Sequence, residues 1–116
     1  SDHAPHTLEE KARPYGSCPS GVPGIETTLP LLIEAYHQGL LSLKNIVDLT
    51  SRRAKEIFQL PDYADDYVLV DLSLARRVEE KQLKTKCQWS PFTGRLLRGW
   101  PVIIVLKNHV YDLARL

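Results

Sequence analysis

The sequence predicts an α/β chain in which a barrel-type catalytic loop and short helices precede a group of strands. Three observations predict it. Asp2 stands ahead of a long proline- and glycine-rich stretch, leucine-rich helical spacing fills residues 27–60, and β-branched runs take over from residue 67. A carboxylate where a strand ends and a long loop begins is the address of a catalytic residue in an α/β barrel. On that layout Ser1 is the last residue of a strand, and the chain is expected to begin inside a fold. A whole barrel takes about 250 residues, whereas 116 residues suit one ordinary domain. A piece of a barrel is therefore expected. The absence of methionine leads to the same expectation, an excised or processed piece.

The elements follow in order. Residues 3–24 hold Pro5, Pro14, Pro19 and Pro23 with Gly16, Gly21 and Gly24, a composition that resists helix and strand alike. Within this loop, Thr7 and Glu10 have capping-box spacing and predict a short helical turn at Leu8–Ala12. A helix is expected from Thr27 or Thr28 to His37, with Pro30 in its first turn and Gly39 closing it. Leu29, Leu32, Ile33 and Tyr36 fall on one face of it. Ser42 predicts the N-cap of a second helix carrying Leu43, Ile46, Val47 and Thr50. Ser51 predicts a third, with Ala54, Ile57 and Phe58 inward and a stop before Pro61. Residues 67–72, Tyr-Val-Leu-Val-Asp-Leu, read as a strand. Residues 83–88 are a weaker strand candidate, and Ser90–Gly94 a turn. Val102–Leu106 is the strongest strand, turned back by Lys107-Asn108-His109 into Val110-Tyr111. The boundary between two substructures, 1–60 and 67–116, is placed in Pro61–Asp66.

Bulk properties exclude several classes. With 15 basic against 14 acidic side chains, nothing favours a nucleic-acid or membrane-surface partner. No apolar run approaches the roughly 20 residues of a membrane span, and the N-terminus lacks the pattern of a signal peptide. Cys18 and Cys87 are far apart without CxxC spacing, so two buried or half-buried free thiols are expected rather than a disulfide framework. The cytoplasm is the expected compartment.

Asp2-His3-Ala4-Pro5-His6 is the segment that carries chemistry. A carboxylate at a strand end can hold a metal through one oxygen and take a proton from an attacking water. His6 can donate to an anionic substrate, and so can the Ser20-Gly21 backbone, because glycine admits a ligand closely. Spacing alone leaves simpler readings open. Asp2 could cap a turn, His3 and His6 could be solvated histidines, and the loop could be a connector. His37 and His109 read as a helix end and a hairpin tip. Lys81–Lys86 reads as a solvated face, and Trp89 and Trp100 as core or interface anchors.

The residues also carry a resemblance. Ser1-Asp2-His3-Ala4-Pro5-His6-Thr7, followed by Glu9-Glu10-Lys11, resembles the last active-site motif of dihydroorotases. The likeness continues through Pro19–Thr27 and Leu29–Leu32, then Leu49-Thr50-Ser51, Ala54, Ile57-Phe58 and Val68–Leu72. It reaches Lys86–Phe92, Gly94 and Gly99, and so covers nearly the whole chain. Allantoinases and dihydropyrimidinases usually carry another residue where His6 stands.

That resemblance implies an α/β fold, the C-terminal fragment of a metal-dependent (β/α)8 barrel. The fragment would hold the last strand end, the substrate loop and the closing helices, with strands of the flanking β-sandwich domain. It implies an amidohydrolase that interconverts N-carbamoyl-L-aspartate and L-dihydroorotate in pyrimidine synthesis, with zinc as cofactor. Asp2 would be metal ligand and proton shuttle, and His6 would bind the substrate carboxylate. Ser20 and Gly21 would add substrate contacts, largely through backbone, since relatives often carry a larger apolar residue at the position of Ser20. The family's His-x-His pair, bridging ligand and two further metal-binding histidines are absent from this sequence, so the 116 residues alone are expected to be inactive and not to retain zinc. The N-terminal part of the barrel is the implied partner, with self-association or aspartate carbamoyltransferase as further ones. The competing class is a silent dihydroorotase-like scaffold or interaction module. Another cyclic amidohydrolase, of allantoinase or dihydropyrimidinase type, is the remaining alternative.

Overall fold

The structure is a computed structural model and describes residues 2–61, 63 and 65–114. The strand end expected at Ser1, and the Asp62 and Ala64 parts of the expected boundary, lie outside the described residues. The architecture is mixed α/β, with one helix packed on a three-stranded antiparallel sheet ordered β1-β2-β3 among the described residues.

The expected turn in the first loop is present as α1, Leu8–Lys11, closed by a complete Thr7–Glu10 capping box. Helix α2, Thr28–His37, has Pro30 and Ile33 buried. Pro30 sits in the first turn, where no intrahelical N–H bond is lost. The C-terminal Gly39 has a positive φ of 74°, as the spacing predicts.

The second helical run differs from expectation. Ser42 caps α3, Leu43–Val47, through a capping box with Asn45. The chain then widens into a π turn, Asp48–Arg52, and continues directly as α4, Arg53–Phe58. Two helical runs therefore replace the three expected. Ser51 does not start a helix but lies inside the π turn, where the Thr50 hydroxyl donates to the Ile46 carbonyl at 2.8 Å. One residue more than a regular turn is absorbed as a π bulge. Ile57 and Phe58, expected inward, are exposed, because α4 packs mainly on the π turn of its own run.

The sheet is longer than its apolar runs. Strand β1 covers Tyr67–Arg77, β2 Leu96–Leu106 and β3 His109–Asp112. The β1–β2 ladder shifts register between Leu69 and Val70 and again between Asp71 and Ala75. At the second shift the Asp71 carboxylate accepts the Ser73 N–H at 2.8 Å, the Ser73 hydroxyl at 2.7 Å and the Leu74 N–H at 3.1 Å. Pro101, which pairs with Val70 at the first shift, is tolerated there because the ladder is already interrupted.

Residues 83–88 are not a strand. The Glu26 carboxylate accepts the N–H groups of Lys84 and Thr85 at 2.9–3.1 Å, so they cannot serve a ladder. Gln88 then turns the chain with φ 50°.

The core lies where α2 crosses β2. Ile33 and Leu97 are buried there, and Val78, Val105, Ile46 and Trp89 are buried as well. Gly99 has φ 97°, and a Cβ built on it would lie 1.9 Å from Ile33 Cγ2. The Ile33 side chain thus packs directly on the strand backbone at that point.

Candidate functional site

The first and last parts of the loop lie side by side. The Ala4 N–H donates to the Val22 carbonyl at 3.0 Å. His3 Nδ1 accepts the N–H of Gly24 at 3.2 Å and of Ile25 at 3.4 Å. Two glycines permit the approach. A Cβ on Gly21, whose φ is 91°, would meet Ala4 Cβ at 2.4 Å, and one on Gly24 would meet the Asp2 carbonyl at 3.1 Å. Any side chain at Gly21 would push the segment away.

This pairing sets where the expected site residues stand. Asp2 is exposed at the start of the segment, beside Gly24. Gly21 is packed against Ala4, two residues from Asp2, and Ser20 is exposed next to it. Pro5 turns the chain so that the His6 N–H reaches the Ala4 carbonyl at 2.9 Å. The His6 ring is about one third exposed, and its Nδ1 lies 3.7 Å from Glu10 Oε2. The Thr7 backbone N–H, at 2.8 Å, holds the Glu10 carboxyl below its ordinary range, and the Thr7 hydroxyl and nearby His6 act in the same direction. The carboxylate at position 10 thus keeps negative charge beside His6.

The support behind these residues was not read from spacing. Lys11 Nζ donates to the carbonyls of Pro19 at 2.8 Å and Gly21 at 3.2 Å. The Trp89 indole N–H donates to the His6 carbonyl at 2.6 Å. Glu26, as described, holds the segment leading to Trp89. His3 is half-buried and a hydrogen-bond acceptor, where a solvated histidine was the simpler expectation. Lys11, Glu26 and Trp89 all fall inside the stretches that carry the family resemblance, which is the signal that marks them.

Between the loop and residues 83–90, His3, Glu26, Thr27, Leu83, Thr85 and Trp89 close around a void of about 10 Å³. That is room for one water at most. Asp2 and Ser20 are exposed and do not line this void. A larger groove of about 450 Å³ runs along Ile25, Leu29, Val68, Trp100 and Ile104. Arg76, Arg77 and Lys84 also line it, but none of Asp2, His6, Ser20 or Gly21 does.

The family implied by the resemblance is metal-dependent, and one exposed carboxylate does not make a metal site. A catalytic zinc normally has three protein ligands, and among the described residues no group of three or more His, Cys, Asp or Glu could hold an ion. The residues present do not form a metal shell by themselves. Cys18 and Cys87 are free, half-buried thiols, as expected. No helix among the described residues is long and apolar enough to cross a membrane.

Comparison with known proteins agrees with the motif. No family model matches the chain. It is 42% identical to the dihydroorotase of Halobacterium salinarum, over 97% of this chain and 28% of that protein. It is 39% identical to the multifunctional protein pyr1-3 of Dictyostelium discoideum, over 95% of this chain and 5% of that one. The chain therefore spans 28% or less of the length of these relatives. Among solved structures it resembles the inactive dihydroorotase-like domain of the CAD-like multifunctional protein of Chaetomium thermophilum. That likeness has a TM-score of 0.66 and 32% identity, over 76% of this chain and 25% of that one.

Proposed function

We propose, from the premise that this chain belongs to the dihydroorotase family, that it supplies the active-site acid and the substrate-carboxylate contacts of a dihydroorotase. The full-length protein would catalyse the reversible cyclisation of N-carbamoyl-L-aspartate to L-dihydroorotate in pyrimidine synthesis. In this reading residues 1–60 are the end of the barrel, with its loop and helices, and residues 67–116 belong to the flanking β-domain. Zinc would be held by Asp2 together with ligands from outside these 116 residues. The remaining barrel, and aspartate carbamoyltransferase, are the proposed protein partners, and the cytoplasm the compartment.

The chemistry proposed for this chain is proton transfer and anion binding. Asp2 accepts a proton as water attacks the ring amide, and returns it to the departing nitrogen; in the cyclising direction the order reverses. His6 donates to the substrate carboxylate, a charge-assisted bond. The N–H groups beside Ser20 and Gly21 add neutral donors. Support comes chiefly from the pairing of the 2–6 segment with the 21–25 segment, which carries Asp2, His6 and Gly21 on one framework.

A second reading has a specific observation behind it. The Chaetomium domain that this fold resembles is described as inactive. A silent scaffold would keep the framework and lose turnover. Dihydroorotate turnover and metal content, measured on this chain alone and on the full-length protein, separate the readings. The first predicts activity and bound metal in the full-length protein only. No turnover from a folded, metal-loaded full-length protein would favour the scaffold.

A further inference from the structure

Trp89 lies 83 residues from His6 in sequence, yet its indole N–H donates to the His6 carbonyl at 2.6 Å. Only 9% of its surface is exposed. The Lys11 ammonium stands 6.0 Å from the centre of the indole, within the range of a cation–π contact. The same ammonium donates to the carbonyls of Pro19 and Gly21, one on each side of Ser20. One indole and one ammonium therefore tie together the segment carrying His6 and the loop carrying Ser20 and Gly21. Neither side chain belongs to the exposed outer side where Asp2 and Ser20 stand.

The tie is well suited to setting geometry. A donor fixed to the His6 carbonyl removes the freedom of the peptide that carries the imidazole. An ammonium shared by two carbonyls fixes the curvature of the loop at Ser20. The Trp89 position is in turn held by the 83–88 segment, whose Lys84 and Thr85 N–H groups bind Glu26 just beyond the same loop. The bracket closes on itself.

We infer that Trp89 is a positioning residue that sets the distance between the His6 and Ser20–Gly21 contacts, and so governs substrate affinity rather than turnover. This rests on the dihydroorotase reading of His6.

The test uses the full-length enzyme with Trp89→Phe, which keeps an aromatic ring but deletes the five-membered ring with its N–H, and with Lys11→Met, which deletes the ammonium. Losing one well-placed hydrogen bond corresponds to about a tenfold change, so Trp89→Phe should raise KM for dihydroorotate by about that factor, with kcat and metal content little changed. Lys11→Met should move KM in the same direction. Combined with His6→Ala, Trp89→Phe should add nothing to KM, since the indole N–H acts through the His6 segment. A wild-type KM in Trp89→Phe, or a loss that adds in full to that of His6→Ala, overturns the inference, as does a lowered Tm with KM unchanged. If His6→Ala itself leaves KM unchanged, the substrate role of His6 fails, and amide exchange decides the bracket alone. Faster exchange at His6 and Thr7 in Trp89→Phe would then uphold the bracket, and unchanged exchange would overturn it.

Discussion

His3 Nδ1 accepts the backbone N–H of Gly24 at 3.2 Å, and this bond joins the residue after Asp2 to the far end of the proline- and glycine-rich loop. The same nitrogen takes the Ile25 N–H at 3.4 Å. A side chain that spacing alone left as a solvated histidine is thus the clasp of the site.

Replacing His3 with Ala leaves both amides without that acceptor. Unsatisfied partly buried donors cost about 1–3 kcal/mol, so the expected loss is near the lower end of that range, because Ile25 is exposed. Amide exchange at Gly24 and Ile25 should accelerate, and the denaturant midpoint should fall at constant m. Unchanged exchange at both amides would remove the clasp.

Gly99 and Gly16 should respond differently to Ala. Both have positive φ, 97° and 93°, but only Gly99 meets a neighbour, with Ile33 Cγ2 at 1.9 Å from a built Cβ. Gly16→Ala should cost about 1 kcal/mol from backbone strain. Gly99→Ala adds overpacking, typically about 1–3 kcal/mol, and should separate α2 from β2. Urea unfolding of the two variants makes the comparison, and equal losses would refute the close approach.

Asp71 makes the sheet sensitive to acid. The Ser73 hydroxyl, then the Ser73 and Leu74 N–H groups, hold its carboxyl below the ordinary carboxylate range. A depressed carboxyl contributes stability that is complete above its unfolded pKa and is lost as pH falls through the lower folded value. The stability difference between wild type and Asp71→Ala should therefore be largest near neutrality and shrink in acid. A difference independent of pH down to the acid limb would show that Asp71 is not ionised in this turn.

His6→Ala in the full-length protein should weaken substrate without removing metal. A hydrogen bond to a charged group contributes about 1.5–3 kcal/mol, so KM should rise by an order of magnitude or more. Loss of metal with KM unchanged would make His6 a ligand instead.

Much of the fold was legible because local chemistry agreed with the global structure. Thr7 with Glu10, and Ser42 with Asn45, mark helix starts that form where their spacing places them. The hairpin at Lys107-Asn108, with φ of 49° and 64°, is marked by its turn residues. The misreadings lie where a distant group overrides local preference. Residues 83–88 lose their strand to the Glu26 carboxylate, and β2 extends back to Leu96 through Gly99 and Pro101 because the register shift and Ile33 accommodate them. Ser51 resembles a cap, but the π turn takes it into a continuous helix. Asp2, His6, Ser20 and Gly21 stood out as a motif. The bonds of His3, Lys11 and Trp89 that hold the motif join residues up to 83 apart, a separation that no local spacing encodes.

Asp2→Asn in the metal-loaded full-length protein tests the central claim most directly. The amide keeps the shape of the carboxylate but cannot accept a proton from water. A general base contributes about 10²–10⁴-fold, so dihydroorotate turnover should fall by at least that range at saturating substrate. Near-normal turnover, with metal still bound, would contradict the assignment of Asp2 as the active-site acid of a dihydroorotase.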